Sequence, residues 1–460
     1  MYPHEADMLL IPTILLYNNI ATFRGVIGRL SVTLNLQPAP SIKWEFESVD
    51  PLREDVLSWG LRAEEPIIGP FVEIEEPYLA ARDDVHVLPG LHKLHGIAIT
   101  ARIGVAHVET ASYSFYLPNL RLLRNIHLGD EMWFEEQTVV RASSEEHLLL
   151  PGAQPNRIIV RAELDSNWGI SLDIGQRAQE WLSDPMQTGT QLTTIGSLYS
   201  LSGRDHVEKP QIANISIGEA KRKLEHLGYL LSFANGGYVN ALYLRGYTSE
   251  HDRRQYCAKA ISYEITPIEL IGDTWFTDES NLKAYLACYH ALEKMLATDY
   301  WKDLFPLLLI WYFQAIQPQN IQVATKPWQV SANAVGAALE RISMIILAEE
   351  FGQSYPRQPK AADKIKALLK TTGLLNKTWH HREATVEDFV RVRNDATHAE
   401  QKSNLPTDER YRMVQIGIMW LEEVFLWRLG YSGKYGSRGN ELRTSVDHRY
   451  DLSKRKPEWG

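Results

Sequence analysis

The chain has 460 residues, 44% of them hydrophobic and 23% charged, with a formal net charge of −9. That length exceeds what one core serves, because single cores stop growing near ~250–300 residues. The composition excludes a disordered chain, and the acidic balance excludes a protein that coats duplexes by bulk positive charge.

Two cysteines, Cys257 and Cys288, provide neither a disulfide framework nor a zinc cluster and fit a reducing compartment. The apolar patch from Met8 to Leu16 follows Glu5 and Asp7 rather than lysines, unlike a signal peptide. The longest apolar run, Leu304 to Phe313, is interrupted by Pro306 and is about half the ~20 residues of a membrane span. The expected setting is cytoplasmic, with no membrane partner.

In chain order, strand patterns dominate to about residue 205. Arg29 to Leu36 and Ile42 to Glu47 alternate with period two, the spacing of a half-buried strand. Further strands are expected at Ala98–Ile103, Thr110–Tyr116, Met132–Arg141, Glu146–Leu150, Arg157–Leu164 and Leu192–Ser200. Short strands with turn residues between them predict an antiparallel sandwich or barrel. Its aromatics, including Trp44, Phe46, Tyr113, Phe115, Tyr116, Trp133 and Trp168, read as sheet core rather than as a recognition surface.

Near residue 216 the period changes. Ser216 and Glu219 form a capping-box pattern that opens a helix over 216–233, and Gly236-Gly237 stops it. A mixed segment continues to about 275. Helices are then predicted at 279–297, 301–316, 331–350, 360–371, 386–399 and 407–429. In the last, Thr407 reads as the cap, Met413, Ile416, Trp420, Val424 and Trp427 as the core stripe, and Gly430 as the stop. Helix 331–350 presents Val335, Leu339, Ile342 and Ile346 on one side. The fold class is therefore α+β and multidomain. A β-rich region spans 1–205, a mixed connector with helix 216–233 spans 206–275, an all-α bundle spans 276–430, and a mobile tail spans 431–460.

The pattern Arg-x4-His occurs three times, at Arg102–His107, Arg393–His398 and Arg443–His448. Arg102–His107 lies in a strand-rich stretch, where an odd separation puts the side chains on opposite faces. Arg443–His448 lies in the tail. Arg393–His398 ends an amphipathic helix between two well-formed helices. On an ideal helix the two side chains stand about 140° apart. They flank one phosphate only if the helix end unwinds or a second subunit completes the site.

The stretch Arg393-Asn394-Asp395-Ala396-Thr397-His398, late in an all-helical region, resembles the signature of the HEPN ribonucleases (higher eukaryotes and prokaryotes nucleotide-binding domains). Upstream, Leu230 to Gly236, Trp311 to Ala315 and Ala337 to Glu340 resemble the ApeA-like subgroup, in which a β-rich domain precedes the HEPN domain. The resemblance implies a metal-independent endoribonuclease without cofactor, acting as a homodimer in antiphage defence by abortive infection. RNA is its substrate, and the N-terminal domain senses a phage or cellular trigger or restrains the nuclease. It also implies that Arg393 stabilises the scissile phosphate, His398 transfers protons and Asn394 positions one of them. Zinc-binding cysteines found in some members are missing here.

Glu340 is a weaker candidate, as an acidic orienter on a neighbouring helix. Arg357, Lys360, Lys364, Lys366 and Lys370 form a basic segment that can track an RNA backbone, and Arg391 is a further RNA contact; the competing reading of all of them is a solvated face. No HExxH, Walker A, Rossmann or DxD-type pattern is present, so no metal ligands are assigned. Two rival readings stand beside the nuclease: a non-catalytic HEPN scaffold that binds RNA or protein, and a β-domain ligand-binding protein with a helical oligomerisation domain.

Overall fold

A computed structural model describes residues 13–48, 67–79, 93–121, 157–175, 190–201, 214–247, 255–317, 327–374, 383–397, 405–436 and 449–451, apart from short stretches within these ranges. The chain divides into two compact units. Unit 1 comprises 1–121, 131–228 and 238–269, and unit 2 comprises 122–130, 229–237 and 270–460.

Unit 1 is built from β1 (Thr13–Phe23), β2 (Val26–Asn35), β3 (Ser41–Ser48), β4 (Ile67–Gly69), β5 (Val72–Leu79), β6 (Lys93–Gly104), β7 (Glu109–Thr110), β8 (Ser112–Pro118), β9 (Arg157–Glu163), β10 (Trp168–Gly175), β11 (Leu192–Ser200), β12 (Ile215–Ser216), β13 (Tyr243–Tyr247) and β14 (Gln255–Ile261). Among the described residues twelve strands form one antiparallel sheet, ordered β3-β2-β1-β4-β5-β6-β14-β13-β8-β11-β10-β9. β3 also pairs with β6, from Ile42↔Ala98 to Glu47↔Lys93. That pairing closes β1 to β6 into a barrel, and β6, which pairs with β14 from Cys257↔Gly104 to Ile261↔Thr100, carries the sheet onward.

The strand alternation read from the sequence is the alternation observed. In β3, Ile42, Trp44 and Phe46 are buried while Lys43 and Glu47 are exposed. Strand side chains point alternately to the two faces, so the inward set forms a continuous core with Phe23, Leu30, Val32, Ile74 and Ala101. Tyr113, Phe115, Tyr116 and Trp168 are buried too. Trp133 and the strands expected at Met132–Arg141 and Glu146–Leu150 lie outside the described residues. The segment expected as a connector contributes β13 and β14 to the large sheet, because Leu242, Leu244, Ala258 and Ala260 alternate into its core.

The helix after β12, α1 (Ile217–Asn235), opens with the expected capping box. The Ser216 amide donates to Glu219 Oε2 (3.2 Å), and the Glu219 amide donates to Ser216 Oγ (3.2 Å). In unit 1 its Lys223 donates to Asp165 Oδ2 at 2.5 Å. The other oxygen of Asp165 accepts the amides of Asn167 and Trp168 in the turn between β9 and β10, so one carboxylate shapes a hairpin and ties it to a helix. Gly236, with φ +79, ends α1, and its amide donates to Ser232 O.

Unit 2 contains α2 (Leu282–Leu286), α3 (Tyr289–Leu296), α4 (Asp299–Ile316), α5 (Pro327–Met344), α6 (Ala361–Thr371), α7 (Glu383–Thr397) and α8 (Thr407–Arg428). A π-helical turn, Ile345–Glu350, follows α5. Val335, Leu339, Ile342 and Ile346 are buried as expected. The stretch Trp328–Ala348 has the length and hydropathy (1.4) of a membrane span, and 67% of its span-length window is buried within the protein. α8 starts differently from expectation: Pro406 is the cap and Thr407 the first helical residue, with no side-chain cap bond. Proline carries no amide hydrogen to satisfy at a helix start. Gly430 (φ +67) closes α8, and the Tyr431 amide donates to Leu426 O.

The stretch after Gly430, expected to be a mobile tail, carries β15 (Lys434–Gly436), paired antiparallel with β16 (Arg449–Asp451). The physical reason is Tyr435. It is buried, stacks on Trp275 at 6.2 Å and donates to Glu422 Oε2 at 2.8 Å. Tyr312 donates to Glu422 Oε1 at 2.7 Å.

Burial alone raises the Asp165 carboxyl, but the bonds from Lys223, Asn167 and Trp168 outweigh it and hold the group below the ordinary carboxylate range. A carboxylate depressed in the folded state contributes stability above its unfolded pKa of about 3.9, and that contribution is lost as pH falls through the folded value. Asp165→Asn is expected to cost about 1.5 kcal/mol in urea unfolding at pH 7 and to flatten the acid limb of stability below pH 4; an unchanged acid limb removes Asp165 as its source. Tyr435→Phe leaves one oxygen of a buried carboxylate without that donor and is expected to cost about 2 kcal/mol. A change below ~0.5 kcal/mol, the size of ordinary surface substitutions, contradicts the anchoring of β15 by this bond.

Candidate active site

Three helices of unit 2 assemble the site. α7 carries Arg391, Arg393 and Asn394, α5 carries Gly336 and Glu340, and α6 carries Lys364, Lys366 and Lys370, with Lys360 at its N-terminal cap. Val386, Phe389 and Val392 turn the apolar side of α7 into the core, and Phe389 meets Trp420 of α8 at 5.7 Å. With that side committed, Arg393 falls on the flank that faces α5.

Gly336 sets how closely the two helices' side chains meet. A Cβ at that position would lie 2.8 Å from Arg393 Cγ, so the missing side chain gives the arginine stem room to lie across α5. The guanidinium then reaches Glu340: Nη2 stands 2.8 Å from Oε1. Glu340 Oε1 is sealed from solvent without a well-directed hydrogen bond, so charge attraction rather than in-line bonding holds the pair. Lys364 Nζ lies 3.6 Å from Glu340 Oε2, and one carboxylate therefore links α5, α6 and α7. Arg393 Nη1 donates to Asn394 Oδ1 (3.2 Å), which leaves the amide NH2 of Asn394 as the group it offers outward.

The end of α7 is held from both sides. Thr397 Oγ1 lies 2.7 Å from Asn333 Oδ1 and 2.8 Å from Arg393 O. Asp395 pairs with Arg410 of α8 at 3.2 Å, and Arg410 also covers the ring of Trp328 at 5.2 Å. His398, the residue after the last described turn, lies outside the described residues, as do Arg357, His107 and the Arg443–His448 pair. Arg102 pairs with Glu73 across β5 and β6.

The basic segment does not present one continuous free face. Lys364 turns toward Glu340, Lys366 donates to Glu387 of α7 at 2.9 Å, and Lys370 is exposed on the last turn of α6. Arg391 is exposed and pairs with Asp388 at 3.1 Å. Lys360, Arg391 and Asn394 do converge: with Asp363, Glu387 and Val390 they line a shallow, open depression of about 450 Å³. The arginine and its asparagine neighbour were legible from spacing and helix phase, and the acidic partner was expected only from the family resemblance. The convergence of Lys360 with Arg391 was not, because it depends on how α6 packs on α7. Among the described residues no group of His, Cys, Asp and Glu is placed to hold a metal ion.

Residues 298–450, which lie within unit 2 and include this site, match the family model of the YopA C-terminal domain. No curated protein and no solved structure matches the chain.

The Arg393–Glu340 pair is open to a double-mutant cycle. Both side chains are about three-quarters buried, between the exposed limit, where pairs contribute ~0.2–1 kcal/mol, and the buried one. Glu340→Gln, Arg393→Met and the double variant are expected to give a coupling energy near 1 kcal/mol in urea unfolding. Additive effects would mean that the contact does not hold α7 to α5.

Proposed function

We propose that the chain is a cytoplasmic, metal-independent endoribonuclease of the HEPN type, acting as a homodimer in antiphage defence through abortive infection. The observation that supports this most is the seating of Arg393. It is fixed by Glu340 and Asn394 beside a depression lined by Lys360 and Arg391, and His398 follows in the next helical turn of sequence. A guanidinium fork suits the charge of a phosphorane, and histidine suits proton transfer near neutral pH.

In this reading the 2′-hydroxyl of the substrate attacks the adjacent phosphorus and the bond to the 5′-oxygen breaks. The products are a 2′,3′-cyclic phosphate and a free 5′-hydroxyl. His398 moves the proton from the 2′-oxygen or to the leaving 5′-oxygen, and Arg393 stabilises the charge between those events. Glu340 and Asn394 act as positioning residues, and Lys360 and Arg391 guide the RNA backbone. The separation of about 140° that an ideal helix implies between Arg393 and His398 is overcome by a second subunit, whose own Arg393–His398 segment supplies the missing partner. The β-rich unit 1 senses a phage or cellular trigger.

The test is cleavage of total RNA and of defined oligonucleotides by the purified chain in EDTA. Wild type is expected to leave cyclic-phosphate ends, and Arg393→Ala and His398→Ala are each expected to slow cleavage by ~10²-fold or more. Equal cleavage by all three proteins would refute the assignment, and a strictly monomeric active enzyme in light scattering would refute the shared site.

A further inference from the structure

The depression that holds Lys360 and Arg391 also holds an acid that phosphate binding does not explain. Asp363 of α6 is exposed and lines it together with Lys360, Ala362, Val390, Arg391 and Asn394. The other charges around it are matched. Glu387 takes the Lys366 ammonium at 2.9 Å, Arg391 meets Asp388 at 3.1 Å, and Glu340 meets Arg393 and Lys364. The Asp363 carboxylate makes no ion pair and no hydrogen bond among the described residues. RNA carries a phosphate on every nucleotide, so an uncompensated carboxylate in its track weakens binding. The acid favours RNA only where it meets donors, and those are on the bases.

Unpaired bases in RNA are read on their Watson–Crick edges. An ionised carboxylate offers two oxygens and no hydrogen, so it can only accept. Guanine alone among the four bases presents two parallel donors on that edge, N1–H and N2–H. Adenine and cytosine each set a ring-nitrogen lone pair beside the amino group, and uracil flanks its one N–H with two carbonyls. Those lone pairs would face the lone pairs of the carboxylate. The rest of the depression suits a base and its phosphates. Val390 and Ala362 are half-buried and give apolar surface for a ring face, while Lys360 and Arg391 give positive charge. Its volume of about 450 Å³ lies within the ~300–1,000 Å³ of small-ligand sites.

We propose that Asp363 makes this depression a guanine subsite. Its two oxygens accept from N1–H and N2–H of an unpaired guanine, Val390 and Ala362 meet the ring, and Lys360 and Arg391 hold the phosphates on either side. The proposal rests on the reading of this site as one for RNA and adds a base requirement to it.

Binding tests it without requiring cleavage. The full chain is titrated, by fluorescence anisotropy, with labelled 2′-O-methyl oligouridylates that carry guanosine, inosine, adenosine or cytidine at one internal position. The methyl group removes the attacking hydroxyl, and inosine keeps N1–H but lacks the N2 amino group. The guanosine probe is expected to bind ~10-fold tighter than the adenosine and cytidine probes and about threefold tighter than the inosine probe. Asp363→Asn is expected to bring all four within about twofold while the urea midpoint stays in place, since the side chain is exposed. An acid kept only for the helix start would leave the ranking of bases unchanged. No binding of any probe, equal binding of guanosine and inosine, or a ranking that survives Asp363→Asn would overturn the proposal. The expected ranking without cleavage of the unmethylated guanosine probe would support the subsite and sink the nuclease reading.

Discussion

From Met413 to Trp427 every side chain of α8 except Gln415 is buried. A helix with no solvent face has to satisfy each polar group internally, and α8 carries Glu422 and Glu423 within this stretch. A buried carboxylate is tolerated only where donors surround it. For Glu422 two of these are tyrosines, one from α4 and one from the strand after α8. This requirement recruits the C-terminal segment into the unit. It also gathers the aromatic cluster of Phe233, Trp275, Tyr312 and Phe425, whose ring centres lie 4.8–6.0 Å from that of Phe233. The apolar side of α7 packs against the same helix through Phe389 and Trp420, so the phase of α7, and with it the direction of Arg393, derives from the burial of α8.

Much of this was legible in the sequence because it is periodic or local. The strand alternation of Ile42, Trp44 and Phe46, the Ser216–Glu219 box and the glycine stops at Gly236 and Gly430 each depend on a few neighbouring residues. The antiparallel β-rich region followed by a helical region is the architecture observed. What local pattern does not carry is long-range pairing. The closure of the barrel through β3 and β6, the entry of β13 and β14 into the sheet, and the burial of Tyr435 join residues far apart in sequence. Thr407 misled for a related reason: a hydroxyl residue at a helix start resembles a cap, but the proline before it supplied the extended backbone.

The candidate site divides along the same line. Arg393 and Asn394 came from spacing and helix phase, which one helix determines, and Glu340 from the family resemblance. The roles of the lysines depend on how α6 lies against its neighbours. Lys364 and Lys366 are drawn to carboxylates on α5 and α7, so a run of basic residues in sequence becomes a set of inter-helix ties. Lys360, at the helix start and outside those ties, faces the depression instead. A charge run thus reports binding capacity only after the counter-charges on adjoining helices are subtracted.

Arg393 and Arg245 show the two ways a chain can keep a partly buried guanidinium. Arg393 lies over a glycine, meets a carboxylate from the neighbouring helix and donates to an adjacent amide. Its charge is compensated within the fold, and a phosphate arriving there competes with Glu340 for a cation already in place. Such an arginine is preorganised and suits a site that must turn over. Arg245 has ring faces above its plane and no partner along its buried edge among the described residues. The difference between the two arginines arises from one carboxylate, present beside the first and, among the described residues, missing beside the second.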